Sequence, residues 1–181
     1  MSAHRRVFEA GTIILGIALC VALWQYRHKP NIITSVHDSV LIRSTARGRD
    51  IDRAFEAVDA PALVGLGDAF KEAERETGIN ALFLAAIAIH ESNKGTSNIA
   101  RQKNNLFGWG AYDSNPFESA YSFATREAGI LYVASRLKAL YVDNWGLETI
   151  DEIGRKYASD ANWGIKVFNW VWRLQNEIYH R

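Results

Sequence analysis

The chain has 181 residues, enough for one ordinary domain with a short appendage. Hydrophobic residues make up 48% and charged residues 23%, a balance that excludes a disordered chain. A formal net charge of +1 excludes nucleic acid as a partner, and a lone cysteine, Cys20, excludes both an intrachain disulfide and a cysteine-built metal cage.

His4, Arg5 and Arg6 precede an apolar stretch over residues 10–24, which extends back to Val7 across Glu9. Its length is marginal for a bilayer core, which needs roughly 17–25 residues. Trp24 and Tyr26 fall where an aromatic belt would sit, followed by Arg27 and Lys29 at the headgroups. No A-x-A-like cleavage site follows, and Leu19 is not the small residue that a lipoprotein signal places before its cysteine. Residues 1–28 therefore read as a single uncleaved transmembrane anchor contacting the membrane through residues 7–25, with a cleaved signal peptide as the alternative. Arg5 and Arg6 barely outweigh Arg27 and Lys29, so the positive-inside rule leans only slightly towards a cytoplasmic N-terminus. Glu9 is either solvated at the interface or a contact for a membrane-protein partner. Residues 29–60 interleave Arg43, Arg47, Arg49 and Arg53 with Asp50, Asp52 and Glu56. They read as a spacer, partly helical near residues 50–58; the alternative, a basic patch for anionic lipid, is weakened by the acids.

Residues 61–181 read as an all-α domain. Pro61 suits a helix start, with Leu63, Leu66, Phe70 and Ala73 at helical spacing before Thr77 and Gly78 stop the run. Asn80 is an N-cap for a helix over residues 81–92 that is apolar nearly all round, hence the buried core helix. A glycine- and asparagine-rich loop over residues 93–116 follows, long enough to be functional. Further helices are predicted over residues 119–142, 147–157 and 162–179. Ile165, Phe168, Val171, Trp172 and Ile178 form the expected apolar side of the last.

Glu91 ends the apolar helix. Low-dielectric surroundings and the negative end of the helix dipole both favour a protonated carboxyl, the form a general acid needs. A lysozyme-type glycosidase uses one such carboxyl to protonate the leaving oxygen. The plainer alternative is an exposed glutamate at a frayed helix end.

The residues around it narrow the choice. Ile89-His90-Glu91-Ser92, Gly95-Thr96-Ser97, Ala100 and Asn104-Asn105-Leu106-Phe107-Gly108 follow one another in order. Gly110-Ala111-Tyr112-Asp113, the Tyr157-Ala158 pair and Trp163 come after them. Over residues 80–171 this series resembles the glucosaminidases among peptidoglycan hydrolases, family 73 of the glycoside hydrolases. The resemblance implies a lysozyme-like α fold with Glu91 as proton donor at the floor of a groove lined by the NNLFG segment and overhung by the next loop. It implies a β-N-acetylglucosaminidase acting on GlcNAc-β-1,4-MurNAc strands of peptidoglycan, with no metal or other cofactor; with that function, the anchor and spacer place the domain at the cell membrane, facing the wall.

On that resemblance Asn104 and Asn105 are candidates for binding N-acetyl groups and sugar hydroxyls, and Gly108 for letting a sugar approach the backbone. A structural turn explains the same residues. Asp113, Glu118 and, less well placed, Glu127 are the candidates for a second carboxylate. Assistance from the substrate's own acetamido group needs no carboxylate nucleophile. Tyr157 and Tyr112 are candidates for holding a water or the sugar, against ordinary buried tyrosines. Trp109 and Trp163 are candidate stacking platforms, whereas Trp145 and Phe107 read as core. His90 points about 100° from Glu91 on a helix and reads as structural. Two rival readings remain: a lytic transglycosylase using the same glutamate, and a catalytically silent glycan-binding or assembly module.

Overall fold

The fold is built around one helix, and its sequence explains why. Asn80 accepts hydrogen bonds from the backbone N–H groups of Leu82 and Phe83, capping a helix over Ala81–Glu91. A cap of this kind contributes about 1 kcal/mol. Every residue from position 81 to 89 is buried, so this helix has no solvent face and must be surrounded. In the computed structural model, residues 31–111 and 115–180 are described; the anchor expected over residues 7–25 lies outside them.

In chain order the helices are α1 (Gly48–Ala57), a short 3₁₀ turn (Pro61–Leu63), α2 (Gly67–Thr77), the central α3 (Ala81–Glu91) and α4 (Asn98–Lys103). Then come α5 (Pro116–Ser119), α6 (Arg126–Arg136) running into a π-helical stretch (Leu137–Asn144), α7 (Ile150–Tyr157) and α8 (Trp163–Tyr179). α3 packs against α8 and α2; α2 also packs against α1 and α6, and α8 against α1 and α7. The described residues contain an isolated bridge between Ser39 and Thr149 but no strand, so the domain is all-α as expected. Among the described residues, no helix is long and apolar enough to cross a membrane.

The structure corrects four expectations. The stretch 31–60, read as a spacer, belongs to the domain, which as a compact unit begins at Asn31. Ile33, Val40, Ile51, Ala54, Phe55 and Val58 are all buried. Gln175, itself buried in α8, accepts from the N–H of Ile33 and donates to its carbonyl, both at 2.7 Å. Val40 donates to the carbonyl of Glu148 and accepts from the N–H of Asn80, tying the same stretch to the cap of α3. The helix expected from Pro61 is broken at Gly65, whose φ of +93° suits glycine, and resumes at Gly67. The helix expected from residue 119 starts only at Arg126, capped by Thr125. Last, α8 buries Trp163, Val167, Val171 and Leu174. Ile165 and Trp172 are left 55% and 56% exposed on the opposite side. α8 is apolar at too many positions for periodicity alone to choose its face, and contact with α3 makes the choice.

Candidate active site

α3 delivers Glu91 to the surface at its last turn, and the chain then turns away sharply. Ser92 is buried; its hydroxyl donates to the Ala88 carbonyl and accepts from the N–H of Gly95. Asn93, Lys94 and Gly95 all adopt positive φ, at 49°, 59° and 83°. A side chain at Gly95 would also press on Leu63, so the conformation and the close packing both call for glycine. Ser97 then caps α4 through the N–H of Ala100. The GTS motif is thus a turn-and-cap device that keeps Glu91 half-buried at a helix end, and the arriving chain does not cover it.

The NNLFG segment is held from within. Asn104 sits at φ +53° and its amide donates to the carbonyls of Phe123 and Ala124. Asn105 is 1% exposed. Its Nδ2 donates to the carbonyls of Trp109 and Tyr121, and its Oδ1 accepts from the N–H groups of Phe107 and Trp109. Both asparagines, candidates for sugar binding, are therefore engaged with the backbone and shape the loop. Gly108, at φ +59°, has open space where a side chain would be, so a ligand can reach its backbone.

What the loop encloses is a cleft of about 510 Å³, lined by Glu91, residues 107–111, Tyr121, Tyr141 and Tyr157. Tyr157 donates its hydroxyl to the Phe107 carbonyl at 3.1 Å, bracing the loop against α7. Burial, then the nearby Glu91 and Tyr141, push the Tyr157 hydroxyl well above the ordinary tyrosine range, so it remains a neutral donor. Trp109 lines the cleft and packs on Tyr132 and Tyr157, leaving it placed to meet a sugar.

Trp163 has a different place from the expected one. It is 2% exposed and stacked on Tyr157, with ring centroids 4.9 Å apart at 27°, so no face is open to a sugar. Its indole Nε1–H instead donates to Oε1 of Glu91 at 2.6 Å. Sequence reasoning also missed Tyr141, which reaches the cleft from the π-helical stretch, and Tyr121, which lies beyond the loop. Their spacing from Glu91 carries no signal, because the π turns displace Tyr141 from ordinary helical register.

The second-carboxylate candidates separate. Glu118 is exposed on α5 and does not line the cleft. Glu127 stands in the first turn of α6, where its backbone N–H and the Thr125 hydroxyl hold its carboxyl below the usual range. Asp113 and Tyr112 lie outside the described residues. His90, beside Glu91, is half-buried and does not line the cleft. Trp145, expected in the core, is 42% exposed. It packs edge-on against Tyr141 beneath the amino group of Lys156.

Residues 67–176 match the family model of glucosaminidases, described as mannosyl-glycoprotein endo-beta-N-acetylglucosaminidase. A Streptococcus pneumoniae protein carrying the provisional name endo-beta-N-acetylglucosaminidase is 35% identical over 134 residues, spanning 71% of this chain and 20% of its own. The beta-N-acetylglucosaminidase of Bacillus subtilis is 30% identical over 133 residues, spanning 62% of this chain and 15% of its own. The chain thus spans about a fifth or less of the length of these relatives. Among solved structures, S. aureus autolysin E in complex with a muropeptide superposes with a TM-score of 0.67 at 21% identity, covering 81% of this chain and 74% of that one. A catalytic glutamate-to-alanine mutant of the same autolysin, bound to the disaccharide NAG-NAM, gives a TM-score of 0.63 at 18% identity, covering 77% and 71%. These likenesses show that the chain shares the helical fold of that autolysin.

Proposed function

The chain belongs to the glucosaminidase family of glycoside hydrolases, and on that premise we propose that it is a β-N-acetylglucosaminidase of peptidoglycan with Glu91 as general acid. The observation that supports this most is the position of Glu91: among the described residues it is the one carboxylate that lines the cleft. It gives a proton to the oxygen of the GlcNAc-β-1,4-MurNAc linkage as that bond breaks, and water completes hydrolysis, leaving a GlcNAc reducing end. Trp109 and the backbone at Gly108 receive the sugars. Tyr157 and the two asparagines hold the loop that presents them. The disaccharide bound by the S. aureus neighbour, NAG-NAM, is made of the same two sugars.

The second group of the reaction is either Asp113, two residues beyond the cleft-lining Ala111 in sequence, or the acetamido group of the substrate. The apolar stretch over residues 7–25 anchors the chain in the cell membrane with the domain facing the wall.

The test is digestion of purified peptidoglycan with the full chain, wild type beside Glu91→Gln, read by mass spectrometry. Reducible GlcNAc ends that disappear in the variant are the expected result. Anhydro-MurNAc ends from the wild type would transfer the reading to a lytic transglycosylase. Glycan binding without cleavage would leave a silent binding module.

A further inference from the structure

We propose that Trp163 determines which oxygen of Glu91 carries the catalytic proton, and that it stabilises the carboxylate left behind when that proton is given up. This rests on the reading of Glu91 as the general acid. An indole N–H donates and cannot accept. The 2.6 Å separation between Nε1 of Trp163 and Oε1 of Glu91 is a short hydrogen bond. A proton on Oε1 would compete with the indole hydrogen for the same approach. The protonated acid therefore carries its hydrogen on Oε2, the oxygen away from the indole.

The indole is fixed on both sides. Tyr157 stacks on one face and is itself held by its bond to the Phe107 carbonyl. Gly154 of α7 lies close by: a Cβ there would sit 2.9 Å from Cε3 of Trp163, so the glycine makes room for the ring. Trp163 is also the first residue of α8, the helix packed along α3. Acid and donor thus stand on two helices that form the core, and the bond between them needs no rearrangement to form.

In the chemical step the Oε2–H bond breaks and its proton passes to the glycosidic oxygen. The C–O bond breaks at the same time, its electron pair going to that oxygen. Glu91 becomes a carboxylate, and the indole bond to Oε1 changes from a neutral to a charge-assisted one. The interaction is stronger in the transition state than in the ground state, so it acts on kcat and not on KM. Trp163 is a positioning residue for the reaction, acting through Glu91.

The experiment uses the full chain carrying Trp163→Phe, which keeps a ring beside Tyr157 and removes the N–H. Two substrates are compared: peptidoglycan, and a 2,4-dinitrophenyl glycoside of a GlcNAc-terminated oligosaccharide, whose leaving group needs no proton. On peptidoglycan kcat is expected to fall about 10- to 100-fold with KM within about twofold. On the dinitrophenyl glycoside the loss is expected to shrink to within about threefold. Replacement of Trp163 by benzothienylalanine, with sulfur in place of N–H, preserves the shape and is expected to reproduce the pattern if the phenylalanine variant does not fold. With Trp163 intact, the indole ¹H–¹⁵N resonance of Trp163 is expected to move between the wild type and Glu91→Gln.

Equal losses on both substrates, a raised KM with kcat intact, or an indole resonance indifferent to Glu91→Gln would each overturn the proposal. A wild-type chain that cleaves neither substrate would overturn the functional reading itself, a distinguishable result.

Discussion

Replacement of Asn105 by alanine separates loop-building from sugar-binding in the NNLFG segment. The side chain makes four hydrogen bonds, all to backbone. Once it is gone, the Trp109 carbonyl keeps a second donor, the N–H of Tyr121. The N–H groups of Phe107 and Trp109 and the carbonyl of Tyr121 have no such replacement. Leaving a buried polar group unpaired costs roughly 1–3 kcal/mol, and partial access to cleft water keeps these three near the lower end. The expected loss is about 3–5 kcal/mol, a large part of the ~5–15 kcal/mol that holds a typical domain together. Urea unfolding measures it directly, with peptidoglycan clearing per folded molecule as the companion assay. Turnover should fall as well, because residues 107–111 and Tyr121, which Asn105 holds in place, line the cleft. A stability change below about 1 kcal/mol, accompanied by a large rise in KM, would refute the reasoning and return Asn105 to direct contact with sugar.

Two further outcomes follow from the same geometry. Gly110→Ala should reduce turnover more than stability: its φ of +78° is strained for alanine and the new methyl would strike the Tyr121 ring, a cleft wall. Turnover and urea midpoints measured side by side check this. The domain should also lose stability in acid. Asp38, held low first by the backbone N–H of Thr34, and Glu152, held low first by that of Thr149, have folded pKa values below their ordinary 3.8 and 4.5. Their contribution is therefore complete above those values and disappears as pH falls through the lower folded ones. Urea midpoints from pH 6 down to about 2.5 read the effect, and Asp38→Asn should flatten the curve; an unchanged curve would remove Asp38 from the account.

Much of the frame was legible because local signals agreed with one another. Asn80, the apolar run after it and Glu91 at its end describe a capped, buried helix before any coordinates are known. The stretch 31–60 was misread because its arginines and acids dominate its composition. Yet Ile51, Ala54, Phe55 and Val58 stand at i, i+3, i+4 and i+7, an apolar stripe that marks the helix expected there as one packed against a core. The bond from Trp163 to Glu91 could not have been read in this way. It joins residues 72 apart in sequence, and only the packing of α8 along α3 creates it. The asparagines of the loop were ambiguous for a related reason: an amide suits a sugar and a carbonyl equally, and the fold supplies the carbonyls.

The paired hydrogen bonds between Gln175 and Ile33 give the domain a defined point of mechanical entry. Any pull applied to the chain ahead of Asn31 meets this pair first, because Ile33 is buried and its backbone is gripped on both its N–H and its carbonyl. The load passes from there into α8, whose opposite end holds the glutamate through Trp163. The grip on Ile33 and the hydrogen-bond donor to the acid are thereby carried on one helix. Cutting the chain at residue 61 would remove the grip along with α1, so a stable fragment is expected to begin at Asn31.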